Sequence, residues 1–317
     1  QDTKARTAEF AAMMNMASDP VIERVVQLDA VHNFRDYGGY QTGGGRRLRS
    51  GILYRSAQHK EATPNDLERI SALKLSTIVD LRGVSERQQH PCARPADFKA
   101  EVLFSDGETV TQMAAPHIEA ARHVETAEDA MQAMLSGYRD MPFRPVLVES
   151  LRLYFEALAT RNGPSLVHCL AGKDRTGIAV AMLHDLLGVH PDDIMADYLL
   201  TNVAGNIEAR IAAGATVVRN NFGPQISDEA VRTLMTAHPS WLEAMFALEI
   251  PTESEIPRLC SLRKHNLKST TQGYTLQRYC AKHTLAKIQK EFSKLRTKHK
   301  VSVPPPLEIF VSKIQSH

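Results

Sequence analysis

The sequence lacks the cysteine pattern of a disulfide scaffold or a zinc site. Its four cysteines among 317 residues, Cys92, Cys169, Cys260 and Cys280, are sparse and unevenly placed, and no C-x-x-C pair is present. That usage fits a reducing compartment, so a cytoplasmic location is expected; a first residue other than Met marks a processed chain or a fragment and leaves secretion open. No apolar run reaches membrane-spanning length, tryptophan occurs once, and no internal repeat is evident. What is present is 43% hydrophobic and 23% charged residues, enough apolar material for a substantial globular core.

The net charge of +2 conceals an asymmetry. From Arg263 to the end, 12 Lys or Arg face only Glu291 and Glu308, so residues 263–317 carry +10 and residues 1–262 carry −8. Leu285, Ile288, Phe292 and Leu295 would line one face of a basic helix there, stopped by Pro304-Pro305-Pro306. Three readings compete for this extension: a basic arm for anionic lipid or nucleic acid, a proline-flanked interaction segment, or a disordered or aberrant end. The third is preferred, anionic-lipid contact is retained as the functional alternative, and no nucleic-acid partner is expected.

Residues 1–18 read as an N-terminal extension. Short strands joined by a glycine-rich hairpin at Gly43 to Gly45 come next, and then the pattern turns α/β. Thr63-Pro64-Asn65-Asp66 starts a helix with Leu67, Ile70 and Leu73 on one face, and Ser76 to Leu81 is a strand ending in charge. Phe98 to Phe104 reads as another strand, closed by a turn at Asp106-Gly107. Residues 108–145, rich in Met and Ala, have helical spacing. An apolar helix from Val146 to Ala159 stops at Asn162-Gly163-Pro164, followed by a buried strand, Ser165 to Val167. Helices are expected from about Thr176 to Leu187, from Asp192 to Asn202 and from Asp228 to Leu248.

Between the buried strand and its helix stands H-C-L-A-G-K-D-R-T-G, His168 to Gly177. A loop running from a strand end to a helix start turns unpaired backbone N–H groups inward, and the helix dipole adds positive potential there, which makes an anion site. Gly172 allows close backbone approach, and the planar fork of Arg175 suits two phosphate oxygens. In that field the Cys169 thiol is expected to ionise and act as nucleophile, with the Thr176 hydroxyl helping sulfur to leave and His168 orienting the loop. Leu170, Ala171, Gly172, Lys173, Thr176 and Gly177 would then wrap the phosphate. Cys169 as a buried small hydrophobe beside a plain helix cap is the competing account. It leaves Lys173 and Arg175 unexplained, because cations oppose the dipole at a helix start unless an anion binds.

These residues match H-C-x-x-G-x-x-R-[ST]-G, and the chain resembles the protein tyrosine phosphatase superfamily. Lys173-Asp174 narrows the resemblance to its atypical tyrosine/serine phosphatases of bacteria and fungi. Further motifs of that group stand at Asn33 to Gly39 (N-F-R-D-x-G-G), Arg55-Ser56, Thr63 to Leu67, Asp80 to Arg82, Tyr138 to Pro142 and Asp197 to Asn202, so the resemblance covers about residues 20 to 250. It implies a three-layer α/β/α sandwich over residues 19–262, with residues 108–145 placed where relatives carry helices that lid the site. It also implies a phospho-cysteine mechanism with no metal or cofactor. Phosphotyrosine, phosphoserine or phosphothreonine in proteins, or phosphoinositides, would be substrates; a lysine such as Lys173 fits the last class.

Two departures matter. The W-P-D motif that usually carries the general acid is absent, leaving Asp174, favoured by the resemblance, then Asp80, then Asp106. The family's Y-G-S-x-x-x-Y-L segment is also missing between Leu248 and Pro251. The rival functions are a catalytically inactive phospho-ligand binding module and, less favoured, a rhodanese-type sulfurtransferase.

Overall fold

The structure, a computed structural model, describes residues 22–109, 124–211, 226–247 and 315–316. The strands are β1 (Arg35–Asp36), β2 (Arg47–Leu48), β3 (Leu53–Ser56), β4 (Thr77–Asp80), β5 (Glu101–Leu103), β6 (Ser165–His168) and β7 (Gln315–Ser316). The helices are α1 (Pro64–Ala72), α2 (Val84–Gln89), α3 (Ala127–Asp140), α4 (Pro145–Thr160), α5 (Asp174–Leu186), α6 (Pro191–Leu199), α7 (Thr201–Ala204), α8 (Asp228–Met235) and α9 (Pro239–Phe246). Residues 207–211 are also helical.

Five strands form one sheet in the order β1-β3-β6-β4-β5. β3, β6, β4 and β5 are mutually parallel, and β1 pairs antiparallel at the edge. Adjacent residues along a strand point to opposite faces, so the adjacent apolar pair in each of L-Y-R-S, T-I-V-D and S-L-V-H puts one residue on either side of the sheet. The structure sorts them that way: Tyr54, Ile78 and Leu166 enter a smaller core with Val31, Phe34 and Ile70 of α1, whereas Leu53, Val79 and Val167 enter a larger core on the other face. The larger core holds α3, α4, α5, α8 and α9 around the fully buried Trp241. This is the expected three-layer α/β/α arrangement.

Thr63 accepts from Asp66 N at 3.1 Å while Asp66 accepts from Thr63 N, so α1 begins with a reciprocal cap at Pro64. Gly43–Gly45 make a 3₁₀ turn, and Gln41 and Arg47 bridge beside it. Elsewhere the expectations need adjustment. The single helix expected over Asp228 to Leu248 is two, α8 and α9: Thr236 is extended, and Pro239, without an N–H, can only open the second. The strand expected over Phe98 to Phe104 is confined to β5. The helix expected from about Thr176 begins at Asp174, which places Asp174, Arg175, Thr176 and Gly177 in its first turn.

Within residues 108–145, α3 packs on α8 and α9 and buries Ala130, Met134 and Tyr138, with Met141 buried just beyond it, so this part belongs to the core. Residues 110–123, the N-terminal extension and nearly all of residues 263–317 lie outside the described residues. The exceptions are Gln315 and Ser316, which pair antiparallel with Leu48 and Arg47. No described helix is long and apolar enough to cross a membrane.

Candidate active site

The carboxyl ends of three parallel strands meet at one level. Ser56 and Asp80 both lie opposite His168, and the ladder extends past it through Leu81 N to His168 O (2.9 Å) and Gln58 N to Leu170 O (3.0 Å). Open parallel sheets place their ligands in the crevice beyond these ends. Here the chain turns from β6 into α5 through residues 169–173. Gly172 has φ +65°, and a Cβ on it would sit 2.5 Å from the Ser56 carbonyl, so the turn requires glycine. Lys173 stands at the N-cap of α5 and its side chain takes none of the first-turn N–H groups, the kind of helix start at which anions bind.

The loop is held from behind. Asn33, itself at φ +59°, donates from Nδ2 to Gly172 O (2.8 Å) and Ala171 O (3.2 Å), and Arg55 Nη2 donates to Gly172 O (2.9 Å). Loop carbonyls are thereby turned into the protein. Arg55 Nη1 also binds Asp197 of α6 at 2.5 Å, and Arg35 Nε reaches the same carboxylate at 3.3 Å, all fully buried. Burial alone would raise the Asp197 carboxyl; the two arginines outweigh it and hold it well below the usual carboxylate range. Arg35 is lowered to about 10, first by burial and then by Arg55.

Arg175 is clamped end-on. Nη1 and Nη2 donate to the two oxygens of Glu86 (2.5 and 2.7 Å), and Nη1 also reaches Thr109 Oγ1 (2.7 Å) and Leu81 O (3.2 Å). Burial would raise the Glu86 carboxyl, but Arg175 overrides it and keeps it ionised. Arg175 Nε is buried with no partner among the described residues, and so is Thr176 Oγ1. The side edge of the guanidinium, Nε with the second hydrogen of Nη2, remains for an anion.

The remaining predicted residues divide. Asp174 is buried and accepts from Tyr138 Oη at 2.9 Å, and Tyr138 in turn contacts Tyr198 Oη at 2.7 Å. Burial, reinforced by Asp174, raises Tyr138 well above the usual phenol range, so it stays a donor. Lys173 is neither at the surface nor free: it is 1% exposed, and its Nζ binds Leu234 O (2.5 Å) and Thr236 O (3.0 Å), stands 3.4 Å from Asp174, and lies over the Trp241 ring. Asp80 is buried and paired with Arg82 through both oxygens (2.9 and 2.7 Å). Burial would raise the Asp80 carboxyl; His168 and Arg82 hold it well below the usual range. Asp106 is exposed in the bend after β5.

His168 donates from Nδ1 to Cys169 O (3.3 Å) and stacks on His59 with ring centroids 5.5 Å apart. Both imidazoles are fully buried and held neutral. Burial lowers His168 to about 4, with Arg82 and Arg94 assisting and Asp80 opposing. Burial, then His168, lowers His59 well below the usual value. Among the described residues no cluster of three or more His, Cys, Asp or Glu could hold a metal.

Residues 26–249 match the tyrosine phosphatase family. The chain belongs to that family. A Cupriavidus necator protein named as a tyrosine-protein phosphatase is 34% identical over 225 residues, 68% of this chain and 75% of the relative. Triple specificity protein phosphatase PtpB of Mycobacterium tuberculosis is 28% identical over 226 residues, 65% and 79% of the two chains. A tyrosine-protein phosphatase of Nostoc commune is 27% identical over 150 residues, 46% and 47% of the two.

In this phosphatase the motifs outside the loop are its back wall: Asn33 and Arg35 from N-F-R-D, Arg55 from R-S, and Asp197 from D-Y-L-L-T-N. Glu86 was not singled out from sequence, although its spacing from Gly83, whose N–H it accepts at 3.0 Å, is that of a helix-capping glutamate.

Two predictions follow from these buried charges. Asp197→Asn leaves Arg35 and Arg55 facing each other without a counter-charge, and urea denaturation should show a loss of about 3–5 kcal/mol; a loss under about 1 kcal/mol would refute the role given to Asp197. Below about pH 6.5 the unfolded chain protonates its histidines, whereas folded His168 does so only near pH 4. Stability should therefore fall as pH drops from 6.5 toward 4, by up to about 1.4 kcal/mol per pH unit for each such histidine. Melting curves that superimpose between pH 7 and pH 5 would contradict this.

Proposed function

We propose that Cys169 attacks the phosphorus of a phosphomonoester, with phosphotyrosine in a protein as the principal substrate. The S–P bond forms as the ester P–O bond breaks, and the leaving oxygen takes a proton from Asp174. Water then attacks phosphorus, gives its proton to the Asp174 carboxylate, and sulfur departs with inorganic phosphate as product. The arrangement of Arg175 carries this reading: a fully buried guanidinium fixed end-on by Glu86, its Nε without a partner among the described residues, in the first turn of α5 and six residues after the cysteine.

Asp174 is the better acid because Asp80 is committed to Arg82 and held ionised, which leaves it no proton to give at neutral pH. Thr176 Oγ1, buried and without a partner among the described residues, suits donation to the sulfur in the second step. The mycobacterial relative is named for triple specificity, and we extend a second activity toward phosphoserine or phosphothreonine to this chain on that ground. Phosphoinositide turnover is the weaker extension, since the Lys173 ammonium points to the α8 carbonyls of Leu234 and to Thr236.

The test compares leaving groups. Cys169→Ser should abolish turnover of p-nitrophenyl phosphate. Asp174→Asn should cost phenyl phosphate or phosphotyrosine hydrolysis about 10²- to 10⁴-fold in kcat, and p-nitrophenyl phosphate, whose leaving group needs little protonation, far less. Equal losses for both substrates would remove Asp174 as the acid. A folded wild type that binds phosphotyrosine without hydrolysing it would be a binding module instead.

A further inference from the structure

Arg210 belongs to the helical residues 207–211, and no motif drew attention to it. Its helix follows closely on α7, whose Ala204 carbonyl accepts from Asn33 N at 2.7 Å, and Asn33 is the residue that holds Ala171 and Gly172. The guanidinium Nη1 is buried and has no hydrogen-bond partner among the described residues. Arg175 Nε, Thr176 Oγ1 and the Nε of Arg55, which holds Gly172 from behind, share that condition among the described residues.

The charges around Arg210 make its state more unusual. Asp174 and Cys169 interact with it electrostatically in favour of its charge, and it acts against the charged forms of Lys173 and His32. Burial lowers Arg210, and Asp174 and Cys169 offset part of that. Lys173 already has Asp174, Leu234 O and Thr236 O, and Arg175 has Glu86. A buried guanidinium edge with no acceptor costs stability unless a ligand supplies one. An ordinary surface arginine would turn all of its N–H groups to water; this one does not.

We propose that Arg210 is a second anion-binding arginine of the site, donating from Nη1 to a phosphate oxygen that the side edge of Arg175 does not take. This rests on the reading of Cys169 as the nucleophile of a phosphomonoester hydrolase. Arg210 binds the phosphoryl group alike in substrate, transition state and product, so its removal weakens binding more than it slows the bound reaction.

The experiment compares wild type with Arg210→Met and Arg210→Lys by two readouts. In steady-state hydrolysis of p-nitrophenyl phosphate, Arg210→Met should raise KM, and Ki for inorganic phosphate, about 10- to 100-fold, the range of a charge-assisted hydrogen bond. Its kcat should fall by much less, and Arg210→Lys should lie between. In thermal melting without phosphate, Arg210→Met should be no less stable than wild type, because an uncompensated buried cation is gone; the stabilisation given by added inorganic phosphate should shrink. Unchanged KM and Ki overturn the proposal. So does a lowered melting temperature with the phosphate-dependent rise intact, which would mark a structural arginine. If Arg210→Met does not fold, the same comparisons on Arg210→Lys decide. A wild type that is stabilised by phosphate yet hydrolyses nothing would sink the hydrolase reading while the melting data still test Arg210.

Discussion

One carboxylate, that of Asp197, lies between Arg35 and Arg55, and the phosphate loop depends on it. Arg55 spends one side of its guanidinium on Asp197 and the other on the Gly172 carbonyl, so the ion pair reaches the loop directly. Burying three charges is costly, and a well-packed apolar trio could be as stable. What an apolar trio could not do is hold a carbonyl backwards and so keep the neighbouring N–H groups facing a ligand. On the proposed function, the arrangement trades stability for a preorganised anion site, which in catalysis would avoid reorganisation when charge develops.

The same logic extends outward from the loop. Glu86 neutralises Arg175 and aims it, Arg82 fixes Asp80 beneath His168, and Asp174 faces Lys173 and Tyr138. Beneath the cysteine lie neutral imidazoles, His168 and His59, rather than further cations. In the proposed reading the positive potential at the loop comes from oriented N–H groups and from the edges of Arg175 and Arg210 that have no partner among the described residues. These are short-range donors with fixed directions, the kind that would recognise a tetrahedral dianion by geometry as well as by charge.

Much of this was legible in the residues. Strand, glycine turn and helix around Cys169 follow from local pattern, as does the burial of the strand that precedes the loop. The motif at Asn33 and the pair Arg55-Ser56 were visible as motifs, but their work, holding Gly172 across more than 100 residues of chain, belongs to tertiary packing. Lys173 shows the limit most clearly. Its position beside Arg175 suggested a pocket cation, yet the break between α8 and α9 brings carbonyls within its reach and takes the ammonium. Glu86 and Arg210 went unnoticed for the same reason: a single Glu or Arg has no signature until the fold supplies its partner, or withholds one. The break at Pro239 was readable, because proline cannot continue a helix interior.

The most direct test is a crystal structure with a bound tetrahedral oxyanion such as tungstate. The account predicts the anion against the Cys169 sulfur, with oxygens on the backbone N–H groups of the loop and on Arg175 Nε, while Glu86 keeps its end-on grip and Asp197 still joins Arg35 to Arg55. An anion seated elsewhere, or a loop that must detach from Asn33 and Arg55 to receive it, would contradict a cradle built before its ligand arrives.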